Sequence, residues 1–240
     1  MALRLAALCI DSNDPHRLSQ FWASALQWEL DTDSTDVTSI VAPGDPRFRI
    51  DFPLVPEAKS DRNRIHLDLS SASLDDQAGL VSRLIGLGAR PIDIGQTGEE
   101  PHVVLADLEG NEFCILEPGN NFVDKESRFG SITCCGSRNV GYFWSAALEW
   151  PLIWDQDDET AIRAPDGTGP FITWGHPVPL KTRKNRFHLD VAPTAGDDQL
   201  DEVDRLTSLG ATRLDIGQGD VDWVVMADPD GHEFCVLTPR

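Results

Sequence analysis

One half of this 240-residue sequence rewrites the other. FWASALQW at 21–28 returns as FWSAALEW at 143–150, and RNRIHLDLS at 62–70 returns as KNRFHLDVA at 184–192. LGARPIDIGQ at 87–96 returns as LGATRLDIGQ at 209–218, and VVLADLEGNEFCILEP at 103–118 returns as VVMADPDGHEFCVLTP at 224–239. The offset is 122 residues for the first three pairs and 121 for the last. Self-similarity in one order at one offset marks a duplicated folding unit. Whatever the first copy folds into, the second must be able to fold into as well. The spacing predicts one domain over 1–118, a linker over 119–127 and a second domain over 128–240. The join, PGNNFVDKES at 118–127, is polar, rich in turn formers and short enough to keep two domains in contact.

Each copy has a finer rhythm. A strand over Leu3–Ile10 leads into a helix with Asp14 as N-cap and Pro15 at its first position. Leu18, Phe21, Trp22, Ala25 and Leu26 form its apolar face at the i, i+3, i+4, i+7, i+8 series. Short strands are expected at Trp28–Asp31, Val37–Ala42 and Arg47–Phe52, with a PGDP turn between the last two. The pattern then restarts with a strand at Ile65–Leu69. A helix follows, with Ser73 before it and Asp75 and Asp76 in its first turn. That helix is predicted to turn Leu80, Leu84 and Leu87 inward and to stop at Gly88. Strands are expected at Arg90–Ile94, His102–Ala106 and Glu112–Glu117. The order is βαβββ twice per copy and four times in the chain.

Composition removes several function classes. Forty acidic residues against 20 basic ones give a net charge of −20. Such a surface repels phosphate backbones and anionic membranes, so neither nucleic acid nor a membrane is an expected partner. The longest apolar run, Leu5–Ile10, is far short of the ~20 residues a membrane helix needs. It stops at Asp11 with no small-residue cleavage site, so no signal peptide is read. Five cysteines, an odd number without any CxxC, read as reduced thiols. The expectation is a cytoplasmic protein, monomer or homodimer, whose partner is a small molecule. The acidity fits solvation of the outer helices, as in DDQLDEVD at 197–204, better than attraction of a cationic ligand.

Strand parity places the reactive side chains. Successive side chains alternate faces. In RIHLDLS, Ile65, Leu67 and Leu69 should pack beneath a helix, leaving His66, Asp68 and Ser70 on the other face. Phe113 and Ile115 pack likewise, which turns Glu112, Cys114 and Leu116 away. Phe48, Ile50 and Phe52 pack, leaving Arg49 and Asp51 opposite. The second copy offers His188, Asp190, Cys235 and Trp174, with Cys134 as a further candidate. Two chemistries suit such a face. Cys9, Asp51, His66 and Cys114 could converge on a metal ion, since thiolate, imidazole and carboxylate are all metal donors. A thiol beside a histidine could instead act as a nucleophile. Against both stands a metal-free cavity in which buried cysteines behave as small hydrophobes. Trp22, Trp28, Trp144 and Trp150 read as packing residues. Trp174 and Trp223 are candidates for stacking on a ligand.

Paired βαβββ modules, an xHLDx strand in mid-copy and a terminal AD-x-x-G-x-E-F strand resemble the vicinal oxygen chelate superfamily. This group includes glyoxalase I, extradiol dioxygenases and bleomycin-resistance proteins. The resemblance covers nearly the whole chain and looks closest to its glyoxalase-like domain proteins. It implies an α+β fold of two tandem domains, each a pair of βαβββ modules forming a half-open barrel around a concave site. Metal ligands in such proteins come from the first and last strands of each module. The usual histidine matches His66 and His188, but the usual terminal glutamate falls on Cys114 and Cys235. The first-strand histidine is replaced by Ala7 or Cys9 in one copy and by Thr133 or Cys134 in the other. The remaining carboxylate falls near Asp51 and near Trp174.

The usual ligand set is therefore broken in both copies. The reading that follows is a protein binding a small organic molecule through Arg49, Asp51, His66, Asp68, Cys114, Trp174, His188, Asp190 and Cys235. The alternative is a lyase or dioxygenase of the glyoxalase type. It would use Zn, Fe, Ni or Mn with His66 as ligand or base. A third reading makes the second copy a degenerate partner that stabilises the first.

Overall fold

A computed structural model describes residues 3–31, 37–43, 45–123, 127–175, 177 and 181–240, without the side chains of 45–47. Gly44 of the PGDP turn and residues 124–126 of the linker lie outside these. The first module comprises β1 (Leu3–Ile10), α1 (Pro15–Leu26), β2 (Glu29–Asp31), β3 (Thr38–Ala42) and β4 (Asp45–Phe52). The second comprises β5 (Ile65–Leu69), α2 (Leu74–Gly86), β6 (Arg90–Pro91), β7 (Val103–Ala106) and β8 (Glu112–Ile115). The third comprises β9 (Phe129–Cys135), α3 (Arg138–Leu148), β10 (Leu152–Gln156), β11 (Glu159–Ile162) and β12 (Phe171–Gly175). The fourth comprises β13 (Phe187–Pro193), α4 (Gln199–Ser208), β14 (Thr212–Arg213), β15 (Val224–Ala227) and β16 (Glu233–Val236).

Local chemistry explains most boundaries. The Asp14 carboxylate accepts the Arg17 amide, and Ser73 accepts that of Asp76, so both helices start where their caps stand. The helix α2 ends at Gly86. Leu87 is its C-cap and is 37% exposed, so it is not the inward residue expected. Strand β6 is only Arg90–Pro91, shorter than predicted; proline cannot donate to a ladder.

Each module is a short sheet, and the modules join pairwise into two eight-stranded sheets. The partners come from different copies of the repeat. The first sheet runs β14-β15-β16-β13-β1-β4-β3-β2, so modules one and four share it. The second runs β10-β11-β12-β9-β5-β8-β7-β6, so modules two and three share it. The seams are antiparallel. Strand β1 pairs with β13 from Leu3↔Pro193 to Ile10↔Phe187, with a bulge between Leu5 and Ala7. Strand β5 pairs with β9 from Ile65↔Cys134 to Leu69↔Phe129.

A continuous apolar core joins both sheets to the helices. Trp22 on α1 packs edge-on against Phe113 of β8, and its indole donates to Asp107 at 3.1 Å. Trp144 on α3 repeats this with Phe234 and Asp228. These helices thus hold each copy together across the two sheets, while the strand seams join the copies. Buried Arg64 donates to the Asp230 carbonyl at 2.9 Å, and its counterpart Arg186 donates to Glu109 at 2.6 Å. No helix among the described residues is long and apolar enough to cross a membrane.

Candidate functional site

The two faces turned away from the core carry the polar chemistry. Parity holds for β5: Ile65, Leu67 and Leu69 are buried in the core, while Asp68 joins His66 on the opposite face. It holds for β8 too, where Phe113 and Ile115 enter the core and Cys114 and Leu116 pack with Val104 and Val123 instead. Parity also corrects an expectation on β12. Ile172 and Trp174 point into the core, Trp174 at 1% exposure beside core residue Cys134, so neither Trp174 nor Cys134 reaches the polar face. Thr173 takes that place. Trp223 is exposed.

The module pairing decides which residues meet. Cys9 and Asp51 lie in the first sheet, and His66 and Cys114 in the second, so these four do not converge. Cys9 instead pairs in register with His188 on one side and Asp51 on the other. Its thiol donates to Asp190 Oδ2 at 3.3 Å, and Asp190 lies in register with Cys235. His188 Nε2 stands 3.5 Å from Asp190 Oδ1. Asp51 accepts the Ser39 hydroxyl at 2.7 Å and pairs with Arg49 at 2.9 Å. The first face therefore gathers Cys9, Arg49, Asp51, His188, Asp190 and Cys235, with residues from both copies.

The second face is its pseudo-symmetric partner. His66 Nε2 stands 3.3 Å from Asp68 Oδ1, and Cys114 lies in register with Asp68. Thr133 occupies the place of Cys9, and Ser131 that of Ala7. Both hydroxyls donate to Asp68 Oδ2, at 2.6 and 3.0 Å, and Thr133 also meets Thr173 at 2.9 Å. The linker covers part of this face, with Val123 packed against Cys114 and Leu116.

That substitution of hydroxyls for an alanine and a thiol gives the two histidine–aspartate pairs opposite electrostatics. Burial disfavours the charged form of Asp68, but His66 and the Thr133 and Ser131 hydroxyls outweigh it and hold the carboxyl below its usual range. Burial likewise opposes charge on His66, yet the Asp68 carboxylate and the Cys114 contact raise it well above an ordinary histidine. The second face thus carries an ion pair. In the first face burial pushes Asp190 up to about 6, with neighbouring Asp51 adding to the rise against hydrogen bonds from the Cys9 and Cys235 thiols. Burial and Lys184 lower His188 to about 3, so that pair is uncharged at mildly acidic pH. Burial raises the Cys9 thiol well above its usual value, and Asp190 and Asp51 raise it further. Burial raises Cys114 as well, against the pull of His66.

Parity applied to FITWG would have found Thr173. Ser39 carried no signal, because only the β3–β4 register brings it to Asp51. A separate cavity of about 410 Å3, lined by Leu3, Phe48, Leu148, Trp150, Pro165 and Pro170 among others, contains none of these histidines and cysteines.

Four βαβββ modules in two eight-stranded sheets, each with His, Asp and Cys on the face away from the helices, define a vicinal oxygen chelate fold. Glyoxalase I from Zea mays superposes with a TM-score of 0.61 at 14% identity, covering 99% of this chain and 92% of that one. A candidate dioxygenase from Bacillus subtilis gives 0.63 at 14% identity, covering 98% and 84%. At such identities the likeness establishes the fold alone. The chain belongs to the glyoxalase-like domain family, which matches it twice, over residues 7–116 and 131–237. No curated protein matches it by sequence.

The fold implies a divalent metal, and the donor sets can be tested against one. Cys9, His188 and Asp190 offer donor atoms within 4.8 Å of one another, as do His66, Asp68 and Cys114. In the first trio His188 Nδ1 and Asp190 Oδ1 are buried with no hydrogen-bond partner. Thiol, imidazole and carboxylate suit a thiophilic ion. In the second trio Asp68 Oδ1 is likewise buried without a hydrogen-bond partner, but Oδ2 already accepts from two hydroxyls that are not part of the trio. The first trio therefore fits a metal better than the second.

Proposed function

We propose that this glyoxalase-like protein binds a small organic molecule on the faces that carry the His–Asp–Cys clusters. The observation that carries the reading is the His66–Asp68 pair with Thr133 and Thr173 beside it. The His66 side chain keeps 21% of its surface exposed, so its imidazole can meet a ligand while Asp68 keeps it charged. A protonated imidazole donates to carbonyl, carboxylate or hydroxyl oxygens, and the threonine hydroxyls add donors and acceptors. Oxygen-rich small molecules suit this face better than apolar ones.

The test is a thermal-shift screen with small carbonyl, carboxylate and hydroxylated compounds and with cationic antibiotics. A ligand at a hundred times its Kd should stabilise the fold by about 2.7 kcal/mol. The shift should saturate and be lost in His66→Ala. A flat response across the panel overturns the reading.

A metal-dependent lyase or dioxygenase is the second reading, favoured by the two donor trios. Cys9, His188 and Asp190 would hold the ion. When bound, it would polarise an oxygen of the ligand as a Lewis acid. Arg49, half-buried beside Asp51, would be the residue to bind an anionic group near that trio. Activity that requires added metal and is lost in His188→Ala would support this reading.

A further inference from the structure

We infer that the first sheet, and not the second, holds one thiophilic divalent cation of the zinc type, bound by Cys9, His188 and Asp190 with Cys235 beside them. The fold leads one to expect an ion held by histidine and glutamate. This chain offers a different donor set, assembled from both copies of the repeat. Cys9 comes from β1, His188 and Asp190 from β13 and Cys235 from β16, which are neighbours in one sheet. All four residues are buried.

Three observations support the assignment. The first is spacing. Zinc bonds of about 2.3 Å to sulfur and 2.0–2.2 Å to nitrogen or oxygen, at tetrahedral angles, set donors ~3.4–3.6 Å apart. Cys9 Sγ lies 3.3 Å from Asp190 Oδ2, and His188 Nε2 lies 3.5 Å from Asp190 Oδ1. The second is the polar balance. His188 Nδ1 and Asp190 Oδ1 are buried without a hydrogen-bond partner, a costly arrangement that coordination of Asp190 would relieve on the carboxylate side.

The third is the internal comparison. Position for position, the second sheet has Thr133 for Cys9 and Ser131 for Ala7. At the positions that match Cys9 and Cys235 it keeps one thiol, Cys114, where the first sheet keeps two. Its aspartate is hydrogen-bonded by those two hydroxyls. Both aspartates keep a buried Oδ1 without a hydrogen-bond partner, so the difference lies at Oδ2 and in the sulfurs. In the first sheet Oδ2 accepts from Cys9, itself a donor to the ion, and a second thiol stands by; in the second sheet Oδ2 is held by two hydroxyls beside a single thiol. Binding would release the Cys9 proton, since the ligand is the thiolate.

The experiment needs no organic ligand, so its failure leaves the small-molecule reading standing and the reverse also holds. The full chain is purified without a histidine tag, stripped with a chelator and titrated with Co2+, then with Zn2+ in competition. One cobalt per chain with a thiolate-to-cobalt charge-transfer band, displaced by zinc, is expected. Cys9→Ser should remove the band and weaken binding by ~10-fold or more, the scale on which even outer-shell changes act. Cys114→Ser should leave both unchanged.

Metal below a tenth of an equivalent with no band, or a band lost in Cys114→Ser and kept in Cys9→Ser, overturns the assignment. Should Cys9→Ser fail to fold, alkylation of the native wild-type chain decides the matter. Zinc should slow modification of Cys9 and Cys235 and leave Cys114 unprotected. Equal rates with and without zinc refute the site.

Discussion

After His66 itself, Thr133 helps to hold Asp68 ionised, and Thr133→Val isolates its hydroxyl. Valine matches threonine in shape, so no cavity forms. What disappears is a 2.6 Å hydrogen bond to Asp68 Oδ2 and a 2.9 Å contact with the Thr173 hydroxyl. Asp68 is buried, and a hydrogen bond to such a charged group is worth about 1.5–3 kcal/mol. For a chain of this size ~2 kcal/mol lowers Tm by about 4–8 °C. The carboxyl should respond as well. With one donor gone the Asp68 carboxylate is less stable, so its own titration midpoint, read by NMR at Cγ, should rise toward its ordinary value. Thr133→Ser, which keeps the hydroxyl, should recover most of the stability and the midpoint. Should Thr133→Val lie within about 0.5 kcal/mol of wild type, or Thr133→Ser be equally damaging, the hydroxyl does not hold Asp68 ionised.

Trp174→Ala should cost about 3–5 kcal/mol in denaturant unfolding, as loss of a core indole does. Thr173→Val, one position earlier but on the polar face, should cost about 1 kcal/mol or less. Reversed costs would place Trp174 at the ligand face after all. Gly141→Ala sets a new Cβ 1.9 Å from the Thr160 hydroxyl oxygen. Overpacking should destabilise by about 1–3 kcal/mol despite the helical preference for alanine, and an unchanged melting curve would contradict that close approach. Because the folded-state pKa of His66 is raised, the stability it contributes is complete below about pH 6.5, the ordinary histidine value, and is lost as pH rises through the folded value. Unfolding midpoints measured upward from pH 6 should show this decline in wild type and not in His66→Gln.

Much of the fold was legible because its signals are local. The caps Asp14 and Ser73, the apolar stripe of α1 and the alternation in IHLDL and EFCI each depend on residues a few positions apart. Those signals also placed His66, Asp68 and Cys114 together, along with His188, Asp190 and Cys235. On FITWG the same alternation turns Trp174 into the core, against the expectation that it stacks on a ligand. Leu87 departs from its expected inward place because the apolar stripe runs one residue past the end of the helix, onto the C-cap.

By itself the sequence determined four modules, their internal order and the face on which His66 and His188 lie. Only tertiary structure decided that Cys9 and Asp51 belong with His188 rather than His66. The physical reason is that the two copies carry nearly interchangeable strands. A β1 edge can pair with β5 of its own copy or β13 of the other, and both offer the same xHLDx alternation. Nothing within a few residues distinguishes the two. The choice rests on long-range packing, with α1 and α3 anchored across the sheets through Trp22 and Trp144 and with Arg64 and Arg186 reaching between the copies.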